Sequence, residues 1–419
     1  MAPDGHRRRL ITAPPLLDVA TGAWLDDHRI LVAGDRIEAV LRPGEPAPAD
    51  ARPLALRGDW IVPGLIDCHS HQIGEMEYAG IPAIDASPAQ EAMSGVRNAR
   101  DTLRAGFTTV RDVGTFWAFV DVALRDAIDA GWTPGPRMQC AGAYITCPGG
   151  GGEVTGEAPT MGLPDGLRFG VVRDADEVRA RVRSLVAGGA DVIKCIVTGA
   201  VLTRGTDPGQ VELPEALVRA AVEEAAAHGR FVAAHAHGTE GIKAAIRAGV
   251  RSIEHGSLID DEGIAMLLDT GTYWVADVYD GDWIAEEGRR SGWPAETMAK
   301  NDATTQAQRD GFSKAVAAGV RLAFGTDSGV YPHRMVAIQL GYQVRLGQTP
   351  AEAIRSATMT AAECLGWEDR VGSVAAGRFA DLVAVEVDPL SEIDVLRRPA
   401  SVMKGGELVD LGDVGDVSG

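Results

Sequence analysis

A chain of 419 residues is too long for one small core; it suits one large α/β domain with an appendage, or two ordinary domains. Its 45% hydrophobic and 24% charged residues are those of a soluble globular protein, and a formal charge of −19 argues against sequence-independent binding to nucleic acid or to an anionic membrane surface. Five cysteines, odd in number and without paired metal-type spacing, do not describe a disulfide framework.

Near the N-terminus, Arg7, Arg8 and Arg9 are followed by no apolar run, because Pro14, Pro15 and Asp18 interrupt it. With no stretch apolar enough to span a bilayer, the expectation is a cytoplasmic protein without a membrane part. Up to about residue 62 the chain reads as short strands and turns: Arg29 to Ala33, a turn at Gly34-Asp35, Arg36 to Leu41, then Trp60 to Val62. From Pro63 to about Ala375, short apolar or β-branched runs alternate with alanine-rich stretches of helical periodicity. We count eight such runs, ending near His69, Asp112, Ala143, Lys194, His235, His255, Asp277 and Asp327. Eight strands alternating with helices predict a (β/α)8 TIM barrel.

Helical patterns cover Asp176 to Ala187, Pro214 to His228, Thr239 to Ala248 and Thr304 to Ala318, with Gly229, Gly249 and Gly319 as closing residues. After Pro350 a helix through Leu365 precedes a glycine-bounded turn, Gly372 to Gly377, and strand-like Leu382 to Val387 and Val402 to Lys404. Those last strands have no barrel to join. They are expected to complete the N-terminal β unit, giving a discontinuous β-sandwich of residues 1–62 and 376–419 around a barrel of residues 63–375.

The densest chemical signal is Pro63-Gly64-Leu65-Ile66-Asp67-Cys68-His69-Ser70-His71. Alternate side chains of a strand share a face, so imidazoles at i and i+2 can converge on one metal ion. A bare His-x-His is weak by itself, but the other predicted strand ends carry Lys194, His235 and His237, His255, and Asp327. Of the nine histidines, His6, His28 and His228 read as surface residues, and His333 falls in a rim loop after the last strand. Cys68 and Cys195 should point away from these residues, into packing.

Each residue also has a bland reading. His255 in Ser252-Ile253-Glu254-His255-Gly256 suits a hydrogen-bonded core histidine, and Asp327 suits a helix N-cap. Lys194 in Asp191-Val192-Ile193-Lys194-Cys195 is the least comfortable, because an ammonium at the end of an apolar strand is costly to desolvate. An ion pair with Asp191 or Glu254 would settle it. Otherwise the desolvated amine loses its proton and adds carbon dioxide, and the resulting carbamate is an anionic ligand able to bridge two metals.

With this set in order along the chain, the sequence resembles the amidohydrolase superfamily, whose members carry His-x-His on the first strand, a carboxylated lysine on the fourth, histidines on the fifth and sixth and an aspartate on the eighth. Gly106-Phe107-Thr108-Thr109-Val110-Arg111-Asp112, Ala234-His235-Ala236-His237-Gly238 and Ser252 to Gly256 are similar to the branch of imidazolonepropionase, metal-dependent prolidases and arginine carboxypeptidases, and ochratoxin amidohydrolases. The resemblance implies two zinc ions per chain, with manganese or cobalt as alternatives, and N6-carboxylysine at Lys194. His69, His71, Lys194 and Asp327 would hold one ion, and Lys194 would bridge to a second held by His235 and His255.

Spacing alone leaves His235 and His237 equal; the family pattern favours His235 as ligand and His237 as a donor to the substrate carbonyl. By the same resemblance a metal-bound hydroxide attacks, and Asp327 orients it and passes its proton to the leaving amine.

The likeness thins in two places. The third-strand loop, Ile145 to Gly152, lacks the histidine common in the branch, and the seventh-strand end, Val275 to Asp282, differs as well. Asp277, Asp280 and Asp282 with Glu75 and Glu77 either favour a cationic substrate group or are solvated loop carboxylates. Tyr78, Tyr144, Tyr279 and His333 are candidate substrate contacts. The reading is hydrolysis of an amide, in a dipeptide or N-acyl amino acid with a free carboxylate. Hydrolysis of a cyclic amide or urea-type compound, deamination of a heterocycle, and a non-catalytic scaffold are its rivals. Lys194 weighs against deamination, and the complete ligand set weighs against the scaffold. A homo-oligomer is expected by analogy.

Overall fold

In the computed structural model the described residues are 8–12, 14–74, 86–155 and 162–412; His6, Glu75, Glu77 and Tyr78 lie outside them. The chain divides into two compact units, one from residues within Met1–Asp67, Ala99–Thr109 and His333–Gly419, the other from Cys68–Asn98 and Val110–Pro332.

The first unit contains two sheets. One orders its strands Arg36–Leu41, Arg29–Ala33, Arg8–Thr12 and Arg52–Leu54; the other orders Glu407–Leu408, Ser401–Lys404, Leu382–Val385, Trp60–Pro63, Leu16–Asp18 and Ala23–Leu25. Gly34, in the left-handed region at φ 62°, turns the hairpin that pairs Ala33 with Arg36. Leu382–Val385 lies antiparallel to both Trp60–Pro63 and Ser401–Lys404, so the two chain ends share one sheet. Ile11, Ile30, Val32 and Ile37 of the first sheet and Leu16, Ile61, Leu382, Ala384 and Met403 of the second are buried in one cluster. These alternate inward-facing residues are what holds a sandwich together.

The barrel falls mostly in the second unit. Its strands are Leu65–Ser70, Phe107–Asp112, Arg137–Cys140, Ile193–Ile196, Val232–Ala236, Ser252–His255, Tyr273–Ala276 and Leu322–Phe324, and the last five pair in parallel, in chain order. The unit boundary falls inside the first two of them. The third strand is interrupted: its first part borders the second strand, whereas Tyr144–Ile145 pairs with the fourth. Closure comes from the first and eighth strands. Ser70 bridges Ser328 in parallel, and the His69 carbonyl accepts from the Thr326 and Asp327 amides at 3.1 and 2.8 Å.

Two of the helices between strands begin where a carboxylate caps them. Asp174 accepts from the amides of Asp176 and Glu177, and Asp260 accepts from that of Gly263. The four helices anticipated between strands are present, the one ending at Ala318 running over Ala295–Ala318, longer than its apolar pattern, whereas the single helix expected after Pro350 is two, Pro350–Ser356 and Met359–Leu365, broken at Thr358, whose backbone leaves the helical region at φ −136° and ψ −93°. Pro88–Arg104, Val120–Asp129, Asp261–Thr270, Asp280–Ser291 and Ile338–Arg345 were not anticipated. Among the described residues no helix is long and apolar enough to cross a membrane.

Candidate active site

The carboxyl ends of the barrel strands converge on a cavity of about 680 Å³, its open mouth included, lined by His69, His71, Lys194, His235, His237, His255 and Asp327 among others. Asp327 Oδ1 lies 3.3 Å from His69 Nε2 and 3.2 Å from His71 Nε2. His69, His71 and Asp327 form one group with ligand atoms within 4.8 Å of one another, and His235, His237 and His255 form another. The His69 and His255 rings, 4.7 Å apart, join the two groups.

Two of these residues owe their aim to strained backbone. His255 and Asp327 sit in the left-handed region at φ 66° and 54°, which costs a non-glycine residue on the order of 1 kcal/mol. On the sixth strand, Glu254 points inward, and strict alternation would turn His255 outward. The left-handed turn at His255 brings its ring back into the cavity.

Each ring is oriented by its other nitrogen. Nδ1 of His69 donates to Glu254 at 2.8 Å, that of His71 to the Gly114 carbonyl at 2.9 Å, and that of His255 to Asp277 at 2.7 Å. Those three rings therefore present Nε2 to the cavity, whereas His235, whose Nε2 meets the Gly199 carbonyl at 3.2 Å, presents Nδ1. His237 Nδ1 lies 2.8 Å from the Ser257 hydroxyl, which can donate or accept.

Glu254 is fully buried and takes its second partner, Arg111 Nη2, at 2.7 Å. Burial raises its carboxyl pKa, but the Arg111 charge and the His69 hydrogen bond outweigh that and keep it ionised. Burial likewise opposes the charge on Asp327, and His69 and His71 hold it well below the usual range.

Lys194 is 1% exposed, and burial pushes its ammonium down to about 8 against the pull of Glu254 and Asp327. Its Nζ has no hydrogen-bond partner among the described residues. The ion-pair reading fails here, because Asp191 is held by Arg125 at 2.6 Å and Glu254 by Arg111 and His69. An orphaned, readily deprotonated amine between two groups of imidazole and carboxylate donors fits a carbamate and a pair of divalent ions.

Residues 60–409 match the amidohydrolase family. The chain belongs to that family. This amidohydrolase is 32% identical to ochratoxinase of Aspergillus niger over 372 residues, which covers 83% of this chain and 75% of ochratoxinase. It is 27% identical to imidazolonepropionase of Chromobacterium violaceum over 414 residues, covering 92% and 91% of the two chains. A solved Xaa-Pro dipeptidase with methionine bound in its active site superposes with a TM-score of 0.88 at 35% identity, covering 96% of this chain and 99% of that one.

The remaining candidates of this amidohydrolase are distributed differently. Tyr144 lines the cavity, its hydroxyl donating to the Gly114 carbonyl at 2.9 Å. Tyr279 is buried with its ring 5.0 Å from that of Tyr331 and lies outside the cavity lining. His333, also buried, meets the Thr102 hydroxyl at 3.1 Å through Nδ1 and likewise does not line the cavity. Nor do the three aspartates form an acidic mouth: Asp277 is committed to His255 and to Gln308 at 2.6 Å, and Asp282 to Arg309 at 2.9 Å. Asp280 does line the cavity, and burial together with the neighbouring Asp277 raises its pKa well above the ordinary value.

The orienting partners Glu254, Arg111, Asp277 and Ser257 escaped the sequence reading in these roles. The adjacent acid in Glu254-His255 was the one signal available.

Proposed function

We propose that this amidohydrolase is a two-metal enzyme that hydrolyses the amide bond of a dipeptide or N-acyl amino acid. His69, His71, carboxylated Lys194 and Asp327 would hold one ion, and Lys194, His235 and His255 the other, zinc being the ion that best suits the donors. When bound, such ions polarise a carbonyl and make a water acidic enough to ionise near neutral pH. The observation that carries the proposal is Lys194 Nζ, buried between two histidine groups and without a hydrogen-bond partner among the described residues. Family membership and the names of the relatives support the amide bond as target.

Asp327 stays ionised beside His69 and His71, so it can take a proton from the attacking water and return it to the leaving nitrogen. The water's oxygen ends in the new carboxylate and its proton on the amine. Burial pushes His237 down to about 3, which keeps the imidazole neutral. With Ser257 donating to Nδ1, its Nε2–H is free to donate to the substrate carbonyl oxygen as charge develops there. Glu254 and Asp277 fix the rings of His69 and His255, so these groups need no rearrangement during the reaction.

The test is mass spectrometry of products after incubation of zinc-loaded protein with dipeptides, N-acyl amino acids, cyclic amides and ureas in heavy-oxygen water. A labelled carboxylate plus a free amine is the expected outcome. Lys194→Ala should lower the metal content and abolish turnover, and full activity in that variant would overturn the two-metal reading.

A further inference from the structure

The cavity is also walled by apolar side chains that the chemistry above does not use, among them Phe116, Ile196, Val201, Leu202, Ile284 and Val330. Gly151 and Gly152 of the third-strand loop line the cavity as well. A Cβ on Gly152 would stand 2.7 Å from Ile196 Cγ1, and one on Gly151 would stand 3.1 Å from the Ala200 nitrogen. Glycine is what lets this loop lie against the wall. The Gly151 amide is spent on Glu212 at 2.7 Å and the Gly152 amide on Thr146 at 3.3 Å, so the loop offers those amides to no substrate anion.

The segment Ala200–Thr203 belongs to no helix or strand, yet all four of its residues line the cavity. One helix, Ala295–Ala318, holds it from the side. Lys300 Nζ donates to the Thr203 carbonyl at 2.7 Å, Glu296 accepts from the Gly205 amide at 2.8 Å, and the two side chains pair with each other at 2.8 Å. Thr203 in turn donates to the Gly151 carbonyl at 2.7 Å, which ties the segment to the glycine loop.

We propose that this wall is the specificity subsite, taking an aliphatic or aromatic group carried next to the scissile amide. Leu202 and Ile284 read that group, and Lys300 with Glu296 are positioning residues that keep Leu202 in place. The inference rests on the amide-hydrolase reading above and names the substrate class within it. A charged or polar group set against these side chains would lose its hydration without gaining a partner, whereas an apolar one gains burial.

The test uses two dipeptide series, Gly-Xaa and Xaa-Gly, with Xaa as Leu, Phe, Met, Gln, Asp or Lys, assayed with the zinc-loaded protein. In at least one series, kcat/KM should be about ten- to hundredfold higher for the apolar members. Leu202→Glu should remove that advantage through KM with the metal content unchanged. Lys300→Met should raise KM for the apolar members with kcat within about twofold of the wild type, and Lys300→Arg should restore it. Equal rates across Xaa, or a preference for Lys that would assign the subsite to Asp280, overturn the proposal. An unchanged KM in Lys300→Met overturns the positioning role.

Calorimetric titration with free leucine and with free aspartate separates the two readings. If no dipeptide is cleaved but leucine binds about tenfold tighter and Leu202→Glu abolishes the difference, the amide-hydrolase reading fails and the subsite stands. Equal binding of the two amino acids overturns the subsite.

Discussion

His69 and Glu254 meet at 2.8 Å inside the barrel, with the ring 1% and the carboxylate 0% exposed. The carboxylate is kept charged by Arg111, itself fixed by the Cys68 carbonyl at 2.6 Å. A buried cation thus holds a buried anion, which holds one tautomer of a histidine, which aims Nε2 at Asp327. Geometry at the candidate metal site therefore depends on a residue that does not reach the cavity.

Glu254→Gln should weaken the first metal site about tenfold or more, because the amide no longer anchors the His69 tautomer. The same change leaves Arg111 without its buried counter-charge and should cost about 3 kcal/mol of stability. Chelator competition and urea denaturation measure the two effects separately. A variant with unaltered metal affinity would show that Glu254 serves packing alone.

Lys194 links stability to pH before any ion is bound. In the folded protein its ammonium is pushed down to about 8 from an ordinary 10.5, chiefly by burial. Between those values the unfolded chain binds more protons than the folded one, so stability contributed at this residue rises as pH climbs through the window. Below about pH 8 both states are protonated, and the penalty stays constant at about 3 kcal/mol. Chelator-treated protein should therefore gain more stability between about pH 7.5 and 10 than Lys194→Met does, as judged by urea midpoints. Identical slopes for the two proteins would remove Lys194 as the cause.

Much of this was readable from the chain. The apolar strands marked the barrel, and five histidines, Lys194 and Asp327 at their ends marked the cavity, because side chains at strand exits have few places to point. The inward aim of both Glu254 and His255 was not readable, since it depends on a single left-handed residue that breaks alternation. Asp277 looked like a mouth carboxylate, and only its contact with His255 places it underneath the site. Tyr279 and His333 lie beyond strand ends, where direction is set by packing against distant segments and not by a local period.

His235 and His237 stand with ring centroids 4.6 Å apart and make different predictions when removed. If His235 is the ligand, His235→Asn should lower the metal content, while His237→Asn should keep two ions and lose about a hundredfold in kcat for want of the carbonyl donor. Metal analysis beside steady-state kinetics distinguishes them. Metal loss in His237→Asn with full loading in His235→Asn would exchange the two roles.

Asp277 would serve the second proposed ion as Glu254 would serve the first. It accepts from His255 Nδ1 at 2.7 Å and from Gln308 at 2.6 Å, and although burial opposes its charge, the contact with His255 brings its pKa down to about 2. In Asp277→Asn the amide can turn only one oxygen toward these two donors, so either His255 or Gln308 loses its acceptor, and a displaced His255 ring no longer aims Nε2 at the cavity. The ion held by His255 should then be lost first, leaving about one ion per chain where Glu254→Gln weakens the other, with the fold retained because Gln308 also donates to the His255 carbonyl at 3.0 Å. Metal-to-protein ratios of the two variants after identical dialysis decide the matter: if both lose the same ion, the two carboxylates do not serve separate sites.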